Sequence, residues 1–408
     1  MNPRRRGVRR AAGVVLAALV GLAGGCEREP QFESLAFPGA PGSGQPRLTS
    51  DLDGTPLLSW IEPDGDFDRL LVSRIGVGGA APPSEVVRSE RMFVNWADYP
   101  SVTPITATLW FAHWLRLQPD SRGAYDVATA ISQDGGASWT GAEQMNEDET
   151  AAEHGFVSVF DWSDEIAAFW LDGRELANWS FDEPDALLGT SLRLARYADD
   201  GSVLRREIAD ALVCDCCQPD TAMTAAGPIV IYRDRTENEI RDVLVRRFTG
   251  DGWSEPVGVG AEGWFIEGCP VNGPVVAARG QDVVAAWFTA ANGHSRVRFA
   301  RSGDAGASFS GALDIETRGA LGQPGIVLDD DRRALVSWWR RGTDGGIDLM
   351  ARRVEPDGTL GTPLTVAHET VGQPVAVPQL VAFDEAYLLA WSSFDDNGTV
   401  RLQRVLPD

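Results

Sequence analysis

Residues 274–309 read PVVAARGQDVVAAWFTAANGHSRVRFARSGDAGASF, and the fold is legible in their patterning. PVVAA and VVAAW are short apolar runs separated by a polar turn, and the second ends in an aromatic, Trp287. After the polar loop ANGHSR, the stretch RVRFARS alternates apolar and polar residues with a period of two, as a half-buried strand does. A Gly- and Asp-rich turn then reverses the chain again. The stretch is a run of short antiparallel strands joined by turns and one longer loop.

The unit recurs. LLSW, WFAHW, IAAFW, IVIY, VVAAW, ALVSW and YLLAW end at Trp60, Trp114, Trp170, Tyr232, Trp287, Trp338 and Trp391, spaced by 54, 56, 62, 55, 51 and 53 residues. Each run follows another β-prone stretch (SVTPITA, FVSVFD, GIVLD) and precedes an alternating strand (DVATAIS, LRLARY, DLMARRV). A weaker fourth strand, such as SEVVRS or EPVGVG, closes each unit. Four strands in each of seven repeats predict an all-β protein, a seven-bladed β-propeller. Its blades are expected near 46–95, 96–150, 153–210, 211–262, 264–320, 321–371 and 372–408. The last repeat stops after its third strand, while FESLAF at 32–37 belongs to no repeat. The N-terminal segment is therefore expected to complete the last blade, leaving no long open edge. The aromatics that end the second strands are expected to pack between blades.

Upstream, MNPRRRGVRR is a basic leader, AAGVVLAALVGL an apolar run too short to span a bilayer, and AGGC supplies small residues before Cys26. This is an export signal, and its ending resembles the bacterial lipobox. The resemblance implies a signal peptide at 1–25, lipidation of Cys26, a tether at 26–31 and a propeller domain at 32–408. The chain is then exported and held at the cell envelope, on its periplasmic face or outer surface, with the lipid anchor as its only membrane contact. Sequons at Asn178 and Asn397 carry no weight in a bacterial lipoprotein. The chain has 36 basic residues, all arginine, against 59 acidic ones, a net charge of −23. The absence of lysine excludes Schiff-base chemistry and a phosphate-loop lysine. A surface this acidic is a poor partner for nucleic acid.

Two turns share a pattern: Ser132-x-Asp134-x-Gly136-x-Ser138-Trp139 and Ser302-x-Asp304-x-Gly306-x-Ser308-Phe309. They match the Asp box of bacterial neuraminidase repeats, so the chain resembles the sialidase-like propellers. The resemblance implies that these boxes hold turns on the face opposite the functional mouth. It raises sialidase-type hydrolysis, carried by three arginines, a Tyr–Glu pair and an Asp acid. The Arg-Ile-Pro signature of that family is absent, and Pro46-Arg47-Leu48 is a weak shadow of it. Asp boxes also occur in propellers that are not sialidases, so a shared fold licenses no reaction.

In a propeller, the loops leading into inner strands and those joining strands two and three gather at one mouth of the channel, where ligands are expected. The sharpest feature there is Cys214-Asp215-Cys216-Cys217 ahead of blade four, with Cys269 ahead of blade five. In an exported chain the four cysteines read first as disulfides, Cys269 pairing with Cys216 or Cys217. The alternative is a thiolate site for copper or zinc, with His154 as a further ligand. Beside it, YRDRTENEIRD holds Arg233, Asp234, Arg235, Glu239 and Arg241. These charges either pair with one another or place Arg233 and Arg235 on a ligand carboxylate. Asp172, Arg174, Tyr232, Arg233, Asp234, Arg235 and Glu239 are the catalytic candidates, Asp172 or Asp234 pairing with Glu153 or Glu239 as glycosidase carboxylates. Trp96, Tyr99, Glu153, Asn272 and the two arginines are the ligand-binding candidates, with Trp264 as a further stacking surface. His113 and His368 fall within strands and read as structural, and His294 lies in a loop. The leading expectation is an envelope lipoprotein that binds a small ligand, a glycan or an envelope protein at this mouth. An exo-glycosidase of sialidase type and a metal or redox protein are the rivals.

Overall fold

The computed structural model describes residues 31–121, 123–178, 188–370, 377–393 and 399–406. They form seven antiparallel sheets arranged as a ring, the predicted propeller. The inner strands are Gly44–Ser50, Ser101–Pro104, His154–Trp162, Asp220–Thr224, Val275–Arg279, Ala320–Leu328 and Gln379–Phe383. Each pairs with a second strand that carries the recurrent aromatic and runs one to four residues beyond it. In the first blade the outer edge is interrupted, Gly79–Ala80 and Ser84–Ser89 both pairing with Phe67–Gly76.

The ring closes as the sequence implies. Gln31–Leu35 pairs antiparallel with the third strand of the seventh blade, Phe32 opposite Val405 and Leu35 opposite Leu402. Leu35 and Phe37 then pack on a cluster shared by the first and last blades, including Trp60, Leu388 and Leu402. The Phe37 ring meets Trp60 edge-on at 5.2 Å. One short segment thus caps a strand edge and seals an interblade seam.

None of the seven aromatics is more than 4% exposed. Trp287, for example, sits among Ile229, Ile231 and Val245 of the blade before it and Val283 and Ala285 of its own. On the opposite face the two Ser-x-Asp turns are bonded alike. Asp134 Oδ1 accepts Ser138 N–H at 2.8 Å and Ser132 Oγ accepts Gly136 N–H at 2.9 Å. Asp304 and Ser302 repeat this at 2.9 Å in both bonds. Trp139 and Phe309 then pack against the seams between blades one and two and between four and five.

Three inner strands begin with a bulge, between Gly44 and Arg47, Gly155 and Ser158, and Gly322 and Gly325. Within them Gln45, Phe156 and Gln323 take φ of +55°, +53° and +52°. The extra residue bends the strand and re-aims side chains at the point where it meets the channel. Gly322 is required there: a Cβ would lie 2.0 Å from Asn272 Oδ1, at a φ of +90°.

Candidate functional site

The inner strands surround a cavity of about 350 Å³ lined from all seven blades. Its polar lining includes Arg47, Tyr99, Gln218, Asp220, Gln323 and Gln379, with Phe156 as an apolar wall. Arg47 Nη1 donates to Gln379 Oε1 at 2.7 Å and to Tyr99 Oη at 3.4 Å, and its guanidinium lies 5.2 Å from the Tyr99 ring centre. Asp220 accepts the backbone N–H of Val276 at 2.9 Å and of Thr221 at 3.0 Å. Burial raises its carboxyl above the usual range, and Arg47 opposes that rise.

Two amide oxygens are left over. Gln218 donates through Nε2 to Val157 O at 2.8 Å, while its buried Oε1 has no hydrogen-bond partner. Gln323 is held through its backbone N–H, which donates to Asn272 Oδ1 at 2.6 Å, and its own Oε1 is likewise unpartnered. A stranded buried acceptor costs about 1–3 kcal/mol, so a site with two invites a ligand or water that donates.

The loop residues singled out from sequence have other placements. Arg233 is 1% exposed and donates to three carbonyls, Asn272 O at 3.1 Å, Arg241 O at 2.8 Å and Phe288 O at 2.7 Å. Its guanidinium also lies 4.8 Å from the Trp264 ring centre, so it pins blades four and five and meets no ligand carboxylate. Burial lowers it to about 10, still protonated at neutral pH. Tyr232 is buried, and its hydroxyl donates to Asp210 at 2.8 Å, not to a glutamate partner. Asp234 is pushed up to about 6 by burial and by Asp210. Arg235 and Arg241 share Glu239 at 2.7 and 3.0 Å and both reach Asp215, so this loop is internally salt-bridged.

Asn272 is buried and spends its amide on Pro270 O, Leu321 O and the Gln323 N–H, so it acts as a seam pin and presents no group to a ligand. Trp264 is buried beneath Arg233 and against Phe288, which removes it as a stacking surface. Trp96 is 38% exposed, and Tyr99 alone of the aromatic candidates lines the cavity. Glu153 lies in an adjoining pocket of about 260 Å³ with Asp215, which adds to the rise that burial imposes on its carboxyl.

The four cysteines among the described residues are all paired, Cys214 with Cys217 and Cys216 with Cys269, the latter bridging blades four and five. Paired sulfurs offer no thiolate, so the cysteine copper or zinc site is not formed in this structure. His154 stands apart with Asp148 and Asp172. Asp172 is fully buried and clamped by Arg174, Nε to Oδ1 and Nη2 to Oδ2, both at 2.7 Å, so it cannot serve as a solvent-facing glycosidase carboxylate. His113 is buried against Tyr99 O and driven down to about 3 by desolvation. His368 is raised by its bond to Asp348. Cys26 and Asn397 lie outside the described residues.

Sequence reasoning missed Gln218, Asp220, Gln323 and Gln379, and passed over Arg47. A partial signal was present: Gln-Pro stands within or just ahead of an inner strand at 45–46, 218–219 and 323–324, although it also occurs at 118–119, away from the channel strands.

No family model and no curated relative matches the chain. Solved structures do match in fold. The chain is similar to the BP39L lectin from Burkholderia pseudomallei, at 13% identity and a TM-score of 0.57, over 89% of this chain and 96% of that one. It is similar to an ulvan lyase of polysaccharide lyase family PL25, at 12% identity and 0.56, over 91% and 95%. It is also similar to a Penicillium chrysogenum α-L-arabinanase, at 12% and 0.50, over 93% and 99%. At these identities the likeness is one of fold. A Trypanosoma rangeli sialidase, at 0.44, is too distant to bear on function.

Proposed function

We propose that the chain is an envelope-tethered lipoprotein whose propeller binds a glycan unit at the channel mouth. The observation that carries this reading is the pair of unpartnered amide oxygens, on Gln218 and Gln323, lining one cavity with Arg47, Tyr99 and Gln379. Amide oxygens accept from sugar hydroxyls, a guanidinium and a phenol donate to ring or carboxylate oxygens, and an aromatic face stacks on the sugar ring. The fold neighbours include a lectin and enzymes described as acting on ulvan and arabinan, which supports the ligand class. Binding without turnover is favoured because Asp220 is the single carboxylate among the described lining residues, and glycoside hydrolysis ordinarily uses two. The leader at 1–25 and Cys26 support the tether.

The test is a glycan array followed by calorimetry on the best ligand. Gln323→Ala and Arg47→Ala are expected to weaken binding at least tenfold with the fold intact. Release of reducing sugar from that ligand would install the exo-glycosidase reading instead, and affinity unchanged in both variants would remove the channel mouth as the site.

A further inference from the structure

We propose that His154, Asp148 and Asp172, at the seam between blades two and three, form a site for a single first-row divalent metal ion, zinc foremost. The site is separate from the glycan cavity and from the cysteines. His154 is fully buried, and its Nδ1 lies 3.1 Å from Tyr125 O, a contact that places the ring proton on Nδ1 and leaves the Nε2 lone pair free. Metal-ligating histidines are oriented in this way, by a carbonyl on the far nitrogen.

Nε2 faces two carboxylate oxygens, Asp148 Oδ2 at 3.3 Å and Asp172 Oδ1 at 3.6 Å. Those separations are long for a charge-assisted hydrogen bond, which runs about 2.7–2.9 Å. The ligand-to-ligand edge of a tetrahedral ion bound at about 2.0–2.1 Å is about 3.3–3.4 Å, which the first separation equals and the second exceeds by about 0.2 Å. His154 Nε2 and Asp148 Oδ2 are both buried atoms without a hydrogen bond. Arg174 Nη2 stands 2.8 Å from Asp148 Oδ2, an ion pair without hydrogen-bond alignment, and Asp126 Oδ1 is 3.9 Å from Nδ1.

The carboxylates are braced from behind. Asp172 accepts from Trp170 Nε1 at 2.9 Å and from Arg174, which also reaches Glu147. Arg193, against Glu147 and Asp172, and Arg206, against Glu147, complete the basic side of the cluster. One imidazole with two carboxylates selects a borderline divalent ion over copper(I), and the 14% exposed Asp148 side chain gives a path from solvent. Three protein donors leave the remaining position to water.

The experiment uses the full-length protein, stripped with chelator and dialysed against micromolar free zinc, with metal counted by elemental analysis and cobalt(II) as a visible-spectrum probe. One ion per chain is expected, with tetrahedral cobalt absorption. Loss of an outer-shell partner typically costs about 10–100-fold in metal affinity, so His154→Ala and Asp148→Asn, which alter the ligands themselves, are each expected to weaken binding at least about tenfold. Asp148→Asn retains an oxygen for Arg174 and is checked for fold by near-UV circular dichroism, so it decides the matter if His154→Ala does not fold. Failure of the wild-type protein to retain zinc, or equal affinity in wild type and Asp148→Asn, overturns the proposal. Neither result touches the glycan assay.

Discussion

Replacing Arg233 with alanine tests whether the charged loop serves the ring or a ligand. The substitution strands the carbonyls of Asn272, Arg241 and Phe288 and removes the cation over Trp264. Each stranded acceptor costs about 1–3 kcal/mol. Part of that sum is returned, because a cation no longer has to be desolvated and water can enter the vacated space. The net loss is about 3–5 kcal/mol, the range seen when one partner of a buried charged contact is removed. For a propeller of this length the unfolding entropy is on the order of 0.8 kcal/mol per kelvin, so Tm should fall by about 4–6 °C. Melts followed by circular dichroism at two scan rates separate that shift from irreversible loss. Glycan affinity of the folded protein should stay within about twofold of wild type, because Arg233 touches no cavity residue's polar group. Arg235→Ala, which breaks partly buried pairs with Glu239 and Asp215 without stranding a fully buried carbonyl, is the control and should cost less than Arg233→Ala. An unchanged Tm with lost glycan affinity in Arg233→Ala would refute the reasoning and return Arg233 to the ligand.

Burial holds the Asp98 carboxyl at about 8, against 3.8 when exposed. The folded state therefore favours its proton, and that stability is lost as pH rises from about 4 through 8. Asp98→Asn keeps an acceptor for the Phe156 N–H, so its Tm advantage over wild type should grow between pH 5 and 8, by up to about 1.4 kcal/mol per unit; a gap that does not change with pH would contradict this. The Cys216–Cys269 bridge closes 53 residues. Replacing both cysteines with serine should cost about 4 kcal/mol on the chain-entropy relation, read as a lower denaturant midpoint, and an unchanged midpoint would make the bridge dispensable. Deleting residues 31–37 should lower Tm and promote association, since it bares the edge of Thr399–Leu406 and uncovers Trp60; a monomer with wild-type Tm would break the closure argument.

Blade number, strand order, the N-terminal closure and the interblade role of Trp287 and its six counterparts were all legible in sequence. They depend on period and on the apolar face of each strand, which are local properties. The cysteine staple was half legible: Cys269 had to reach the preceding loop, but spacing could not choose between Cys216 and Cys217. The candidate site was mostly not legible. Arg233, Trp264 and Asn272 look from sequence like residues of an exposed polar loop, and Arg233 bonds to carbonyls 39 and 55 residues away.

Alternation along a strand says which face a side chain takes. Whether that face meets solvent, the channel or the next blade is set by how twisted sheets stack around the ring, and by bulges such as those at Gly44 and Gly322 that turn Gln-Pro corners inward. The architecture therefore follows from local pattern alone. The cavity exists only where separate blades are pressed together, because its polar groups come from distant parts of the chain, whereas His154 and Asp172 face each other across one strand pair and Asp148 joins them from the loop just ahead.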